Sequence, residues 1–239
     1  IWDVAGEVVR DRGPRVVLVI GQGGSGRTAL VETACRMLDE GGWMEVVRLR
    51  YRDPPGPEDG YVGAVREILA PWNDNRDELQ IRLARWVARD RETKLVTAMR
   101  EAVLLARWCG YLRPGERRPN AAMGLHFLYQ HLHRRGWRGG SCLVMDDAHL
   151  AEEPGDGLDM AEALLDGAVG ERPVLVLATL TREALETDVE LAEKVDMLVD
   201  RGATRIELGR LGKDRVHQVL SETLFLDPAL AEDVARRIE

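Results

Sequence analysis

The run Val16-Val17-Leu18-Val19-Ile20 leads directly into Gly21-Gln22-Gly23-Gly24-Ser25-Gly26-Arg27-Thr28, and a helical pattern follows from Arg27 to Leu38. A short, continuous β-branched run fits a strand buried on both faces of a parallel sheet. Gly21, Gly23, Gly24 and Gly26 permit backbone angles that other residues avoid, and let the chain approach a ligand closely. Successive N–H groups then point at one place, and the positive end of the following helix adds to their field. The turn is therefore suited to an anion. It fits G-x-x-x-x-G-[K/R]-[S/T] in the context this motif requires, strand before and helix after. Gly21, Gly23, Gly24, Ser25, Gly26, Arg27 and Thr28 are accordingly the candidate phosphate-binding residues, with the Thr28 hydroxyl directed at Mg²⁺. Gly41-Gly42 stops the helix.

Four further strands are expected at residues 45–50, 142–145, 174–178 and, more weakly, 205–208. Helical patterns separate them, which predicts an α/β fold with a parallel sheet. Residues 1–11 also have helical spacing and end at Gly13-Pro14. Strands two and three are separated by a long helical insert, about residues 54–140. Within it, helices are expected near Tyr61 to Trp72, across Asp77 to Leu112, and near Ala121 to Arg135. The basic loop Arg113 to Asn120 reads as a solvated connector. Residues 1–209 thus form one core domain, and 210–239 read as short helices broken at Asp227-Pro228.

The third strand ends in Asp146-Asp147. About 120 residues after a phosphate loop, such an acidic end suits ATP chemistry: Asp146 for the Mg²⁺ shell, Asp147 to orient the attacking water. Strand four ends Ala178-Thr179-Leu180-Thr181-Arg182, and polar residues at the carboxyl end of an inner strand face the ligand crevice. Thr179 and Arg182 are candidates to sense the terminal phosphate; the alternatives are a helix cap and a surface charge. His149 either orders its loop or faces solvent. Arg27 stands where lysine is usual, and its planar, bulkier guanidinium is not a conservative replacement at a tight site. A dinucleotide site fits less well, because Arg48 and Arg50 stand where an acidic residue would be needed. No Asn-Lys-x-Asp is present to read guanine; Glu193-Lys194-Val195-Asp196 is a partial echo.

Composition narrows the setting. The 239 residues are 45% hydrophobic and 31% charged with a net charge of −8, enough for one large α/β domain and unlike a nucleic-acid-coating protein. Cys35, Cys109 and Cys142 form no CxxC pair, and Cys142 lies in an apolar run that marks it as core. Neither a membrane span nor a signal peptide is evident, so a cytoplasmic location is expected. The chain lacks an initial Met and stops within a helical pattern at Ala235 to Glu239, so a piece of a longer protein is expected.

Taken together, Gly21 to Leu30, Cys142 to Leu150 and Val174 to Arg182 resemble a STAND-type or AAA+-related P-loop ATPase domain of bacterial regulatory proteins. Gly60 to Val65 and Leu208-Gly209-Arg210-Leu211 fit the same pattern, and the resemblance covers about residues 14–225. It implies a three-layer α/β/α fold with strand order 5-1-4-3-2 and a C-terminal helical lid beginning near residue 210. It also implies ATP or ADP with Mg²⁺ as cofactors, and a nucleotide-controlled switch coupled to other domains of the same chain, often as a homo-oligomer. Arg27 bears on turnover, not on the fold. Three functions compete: a slowly hydrolysing ATP switch of a signalling or defence protein, a degenerate nucleotide-binding scaffold, and an AAA+ motor. Both aspartates favour the first, Arg27 the second, and the acidic charge disfavours the third.

Overall fold

The computed structural model describes residues 1–69, 75–90, 94–117, 121–152 and 155–209. The chain begins with α1 (Trp2–Asp11), β1 (Arg15–Gly21), α2 (Arg27–Glu40) and β2 (Glu45–Arg50). The insert follows as α3 (Gly60–Leu69), α4 (Arg76–Asp90), α5 (Leu95–Trp108) and α6 (Ala121–Arg138). Then come β3 (Ser141–Asp146), a 3-10 turn at Ala148–Leu150, α7 (Gly157–Leu165) and β4 (Val174–Thr181). The last described elements are α8 (Arg182–Thr187), α9 (Val189–Asp200) and β5 (Thr204–Leu208).

All five strands are parallel in the order β2-β3-β4-β1-β5, which is the expected 5-1-4-3-2 read from the other edge. The strand alternation explains why these runs are apolar throughout. Val17, Val19, Val144, Leu175 and Leu177 pack under α1 and α2 with Val8, Val31 and Leu38. Their neighbours Leu18, Ile20, Leu143, Met145, Val176 and Leu180 face the opposite layer, built from α3 to α7 and α9. Each such side chain contributes about 1.5–3 kcal/mol on burial. Cys35 and Cys142 are both buried in the first layer, as a core role for Cys142 requires.

One departure from the sequence reading concerns helix boundaries. Residues 77–112 carry one helical period but form two helices, α4 and α5, whose apolar stripes share one core through Leu79, Leu83, Ala98 and Leu105. The end of the first insert helix, expected near Trp72, lies outside the described residues, as does the helical lid at 210–239. Among the described residues, no helix is long and apolar enough to cross a membrane.

A buried carboxylate ties the insert to the sheet. Asp156 accepts hydrogen bonds from the Tyr51 hydroxyl and from the backbone N–H groups of Tyr61 and Gly157, at 3.1 and 2.8 Å for the last two. Gly60, at φ 60, passes so close that a Cβ there would lie 1.9 Å from Asp156 Oδ2. Burial and the adjacent Asp156 push the Tyr51 hydroxyl well above the usual tyrosine range, so it remains a donor.

The insert also buries His131, which is 3% exposed and has no hydrogen-bond partner at Nε2. It stacks against Trp86 and Phe127, which also pack on each other. Glu45 approaches to 3.9 Å, but that carboxylate is engaged by Arg135 at 2.7 Å. Burial, helped by Arg135, lowers the imidazole from 6.5 to about 4. The unfolded chain therefore binds a proton that the folded chain refuses. Stability is full above pH 6.5 and falls as the pH drops toward about 4. The loss is on the order of 3 kcal/mol. Urea denaturation across this window should show it, and His131→Phe should flatten the profile; a profile unchanged by that substitution contradicts the account.

Candidate phosphate and metal site

Five residues, Gln22 to Gly26, join β1 to α2. Gly24 and Gly26 have φ of 76 and 87, angles that L side chains rarely adopt. Gly21 is needed for a different reason: a Cβ there would lie 2.4 Å from Ser25 Oγ and 3.0 Å from the Leu208 carbonyl. Gly23 has neither constraint, since a Cβ would meet nothing within 4 Å. A small residue at that open point leaves room for an incoming group rather than for the protein's own atoms.

The loop faces the C-terminal ends of β3 and β4. Thr28 Oγ1 donates to Asp146 Oδ1 at 3.1 Å, and Thr179 Oγ1 donates to the same oxygen at 2.9 Å. Thr179 also accepts from the Asp147 backbone N–H at 2.7 Å. One buried hydroxyl therefore fixes both aspartates. Asp147 adopts the left-handed conformation, φ 55 and ψ 48, which turns the chain sharply into the 3-10 turn. Its carboxylate lies 3.5 Å from Arg27 NH2. Arg27 is 9% exposed, and its NH1 has no hydrogen-bond partner. Ser25 Oγ and His149 Nδ1 are buried and unpartnered as well. Ser25 and Arg27 belong to the junction of β1 with α2 and His149 to the turn after β3, and the unpartnered donors of the first fit a ligand rich in oxygen acceptors. Beside the carboxylates, toward β2, lies a cavity of about 610 Å³ bounded by Arg48, Arg50, Arg52 and Gly60.

His149 bridges to Thr181 through Nε2 at 3.3 Å. Burial lowers its pKa; Asp147 opposes this and Arg27 adds to it. The contact of His149 with Thr181 orders the turn after β3.

The structure brings together Arg27, Thr28, Asp146, Asp147 and Thr179. Arg182 sits apart, at the start of α8, with its guanidinium paired to Glu207 on β5. The capping residue of α8 is Thr181, whose hydroxyl accepts from the Ala184 N–H at 3.2 Å. Strand β4 extends past Ala178, so Thr179 lies inside it, opposite Val19 and fully buried. The bridge that Thr179 makes was not foreseen; its signal is a hydroxyl within an otherwise apolar strand, on the face that carries α2. Among the described residues no group of three or more His, Cys, Asp or Glu gathers to hold a metal alone. Mg²⁺ does not need one, since it is commonly held by one or two carboxylates plus phosphate oxygens.

No family model and no curated protein matches this chain in sequence. Solved structures do match in shape, and the likeness is one of fold, an α/β domain with a parallel sheet. The ORC2 protein of Aeropyrum pernix, solved as ADPNP-ADP complexes, superposes with a TM-score of 0.57 at 13% identity, over 98% of this chain and 54% of that one. Cdc6p from Pyrobaculum aerophilum gives 0.55 at 16% identity, over 98% and 52%. The chain thus spans about half the length of these proteins.

Replacing the Thr179 hydroxyl strands the Asp147 N–H and removes a donor from Asp146. Thr179→Val should therefore lower stability by about 2 kcal/mol, and Thr179→Ser by much less. Guanidinium denaturation measures both. Equal stability of the valine variant and the parent would show that this bridge does not organise the site.

Proposed function

We propose that this chain binds an adenine nucleotide, ATP or ADP, with Mg²⁺, and serves as a slowly hydrolysing switch module of a longer signalling or defence protein. The observation that carries the proposal is the double pairing across the cleft, Thr28 with Asp146 and Arg27 with Asp147. Thr28 and Arg27, the side chains suited to a metal and a phosphate, already rest on carboxylates. The neighbouring fold supports the nucleotide, since the ORC2 protein was solved with ADPNP and ADP.

In this reading the backbone N–H groups of Gly23, Gly24 and Gly26 to Thr28 receive the phosphates, while that of Ser25 donates to the Gln22 carbonyl. Arg27 exchanges its 3.5 Å contact with Asp147 for a charge-assisted contact with phosphate oxygen. Thr28 and Asp146 would hold Mg²⁺, which would supply neutralisation of the charge on the phosphates. Freed from Arg27, Asp147 orients the attacking water by accepting a hydrogen bond from it. Thr179 keeps both aspartates in place throughout, and Arg182 responds to the terminal phosphate only by giving up Glu207.

The planar guanidinium explains why turnover is slow: a donor misplaced by about 1 Å can lower a rate on the order of a hundredfold. Single-turnover hydrolysis of ATP tests this. Asp147→Asn should retain nucleotide and lose turnover, Asp146→Asn should weaken Mg²⁺-dependent binding, and Arg27→Lys should hydrolyse at least as fast as the parent. Fast hydrolysis by the parent that collapses in Arg27→Lys would show a loop built around arginine. Nucleotide binding with no turnover in either protein would instead assign a scaffold.

A further inference from the structure

A second, smaller cavity of about 250 Å³ lies along β2, and neither the phosphate loop nor Asp146 and Asp147 border it. β2 is an edge strand, so one side of its backbone has no strand to pair with. The N–H groups of Glu45 and Tyr51 point to β3, where they donate to the carbonyls of Gly140 and Asp146. Successive peptide groups of a strand point to opposite sides. The N–H and C=O groups of Val46 and Arg48 therefore face the open side, and both residues line the cavity. Helices α3, α4 and α6 close it with Glu67, Ile68, Trp86, His131 and Arg135.

Two polar atoms of this wall are buried and lack a hydrogen-bond partner. His131, 3% exposed, stacks against Trp86 and leaves Nε2 unpartnered. Glu45 Oε2 lies 2.7 Å from Arg135 Nε but outside hydrogen-bonding geometry, and is unpartnered too. Glu45 Oε1 stands 3.9 Å from His131 Nε2, too far for a hydrogen bond between them. Such atoms are rare in a buried wall and need a partner to offset their lost hydration. The charges around them balance. Arg48 and Arg135 bring two positive groups, Glu45 and Glu67 two negative ones. Glu67 is exposed and has no ion-pair partner among the described residues. A phosphate would meet two carboxylates here, and a polyamine two guanidinium groups. A molecule with one charge of each sign meets a complementary group at both ends. Val47, Ala64 and Ile68 offer an apolar surface to the rest of it.

We propose that this cavity binds a free α-amino acid with an apolar side chain. The ammonium donates to Glu45 Oε1 and His131 Nε2, whose separation of 3.9 Å one nitrogen with several N–H groups can bridge. Burial keeps the His131 ring neutral at physiological pH, and with its proton on Nδ1 the ring offers Nε2 as an acceptor. Glu67 adds negative charge at the same end. The carboxylate is received by Arg48 and Arg135 and by the outward N–H groups of β2. The side chain lies on Val47, Ala64 and Ile68. The volume suits so small a ligand: it falls below the roughly 300–1,000 Å³ of sites for drug-sized molecules, and it is too small to enclose a nucleotide. None of these residues takes part in the nucleotide reading, so either reading can fail without the other.

Calorimetric titration of the whole chain without nucleotide tests it. The probes are L-leucine, L-isoleucine and L-phenylalanine, and at least one should bind with a Kd below about 1 mM. For that amino acid, the amine that lacks the carboxylate and the N-acetylated acid that lacks the ammonium should each bind at least about tenfold more weakly. His131→Phe keeps the aromatic stack and removes the acceptor, and should weaken binding about tenfold or more. Glu67→Lys, at an exposed position, should do the same. Thermal midpoints show whether each variant is folded; should His131→Phe misfold, Glu67→Lys and the two analogues still decide. No binding of any of the three amino acids, an analogue bound as tightly as its amino acid, or undiminished affinity in either folded variant overturns the proposal.

Discussion

The site depends on a single buried hydroxyl. Thr179 donates to Asp146 and accepts from the Asp147 N–H, so the end of β3 is held by the strand beside it rather than by its own loop. A carboxylate at a strand end would otherwise be free to turn toward solvent. Held this way, Asp146 meets Thr28 across the cleft, and Asp147 enters its left-handed turn with its side chain toward Arg27. Such polar networks are worth most when every member is satisfied. Here the strand side is satisfied and the loop side is not, since Ser25 Oγ and Arg27 NH1 remain without partners. That asymmetry divides scaffold from ligand surface.

The rest of the molecule serves to keep β1, β3 and β4 in register. Val19 lies opposite Thr179 and Gly21 opposite Thr181, which fixes where the loop leaves the sheet. Both layers of side chains come from the same short runs by strict alternation, so no strand can slip by one residue without exchanging its two cores. The insert is attached at a second point, through Asp156, Tyr51 and the N-terminus of α3. This fixes the wall of the cavity beside Asp146 and Asp147, because Tyr51 and Gly60 line it.

Much of this was legible in the sequence, for physical reasons. A buried parallel strand must be apolar on both faces, so the five runs stood out, and glycines with a positive φ cannot be replaced cheaply, so the loop stood out too. The paired aspartates were visible because charge at the end of an apolar run is conspicuous. What stayed hidden depends on tertiary partners. Thr179 looked like a strand end because threonine suits strands and turns alike, and only its burial opposite Val19 reveals the bridge. Arg182 looked like a ligand-facing charge because nothing local announces Glu207, which lies 25 residues away on another strand. The division of residues 77–112 into two helices was hidden because both share one helical period. The capping carboxylate Asp156 was hidden because its partners come from two distant segments.

The chemistry turns on whether Arg27 exchanges Asp147 for a phosphate. Lysine would meet phosphate as a compact point charge; arginine brings a rigid fork that is already engaged at one end. Calorimetric titration of ATP, ADP and GTP with Mg²⁺ into the parent and into Arg27→Ala is the direct measurement. The account predicts that ATP and ADP bind the parent more tightly than GTP, that chelating Mg²⁺ weakens ATP, and that Arg27→Ala loses at least about 1.4 kcal/mol, tenfold in affinity. No heat of binding in the parent, or GTP bound as tightly as ATP, would contradict it.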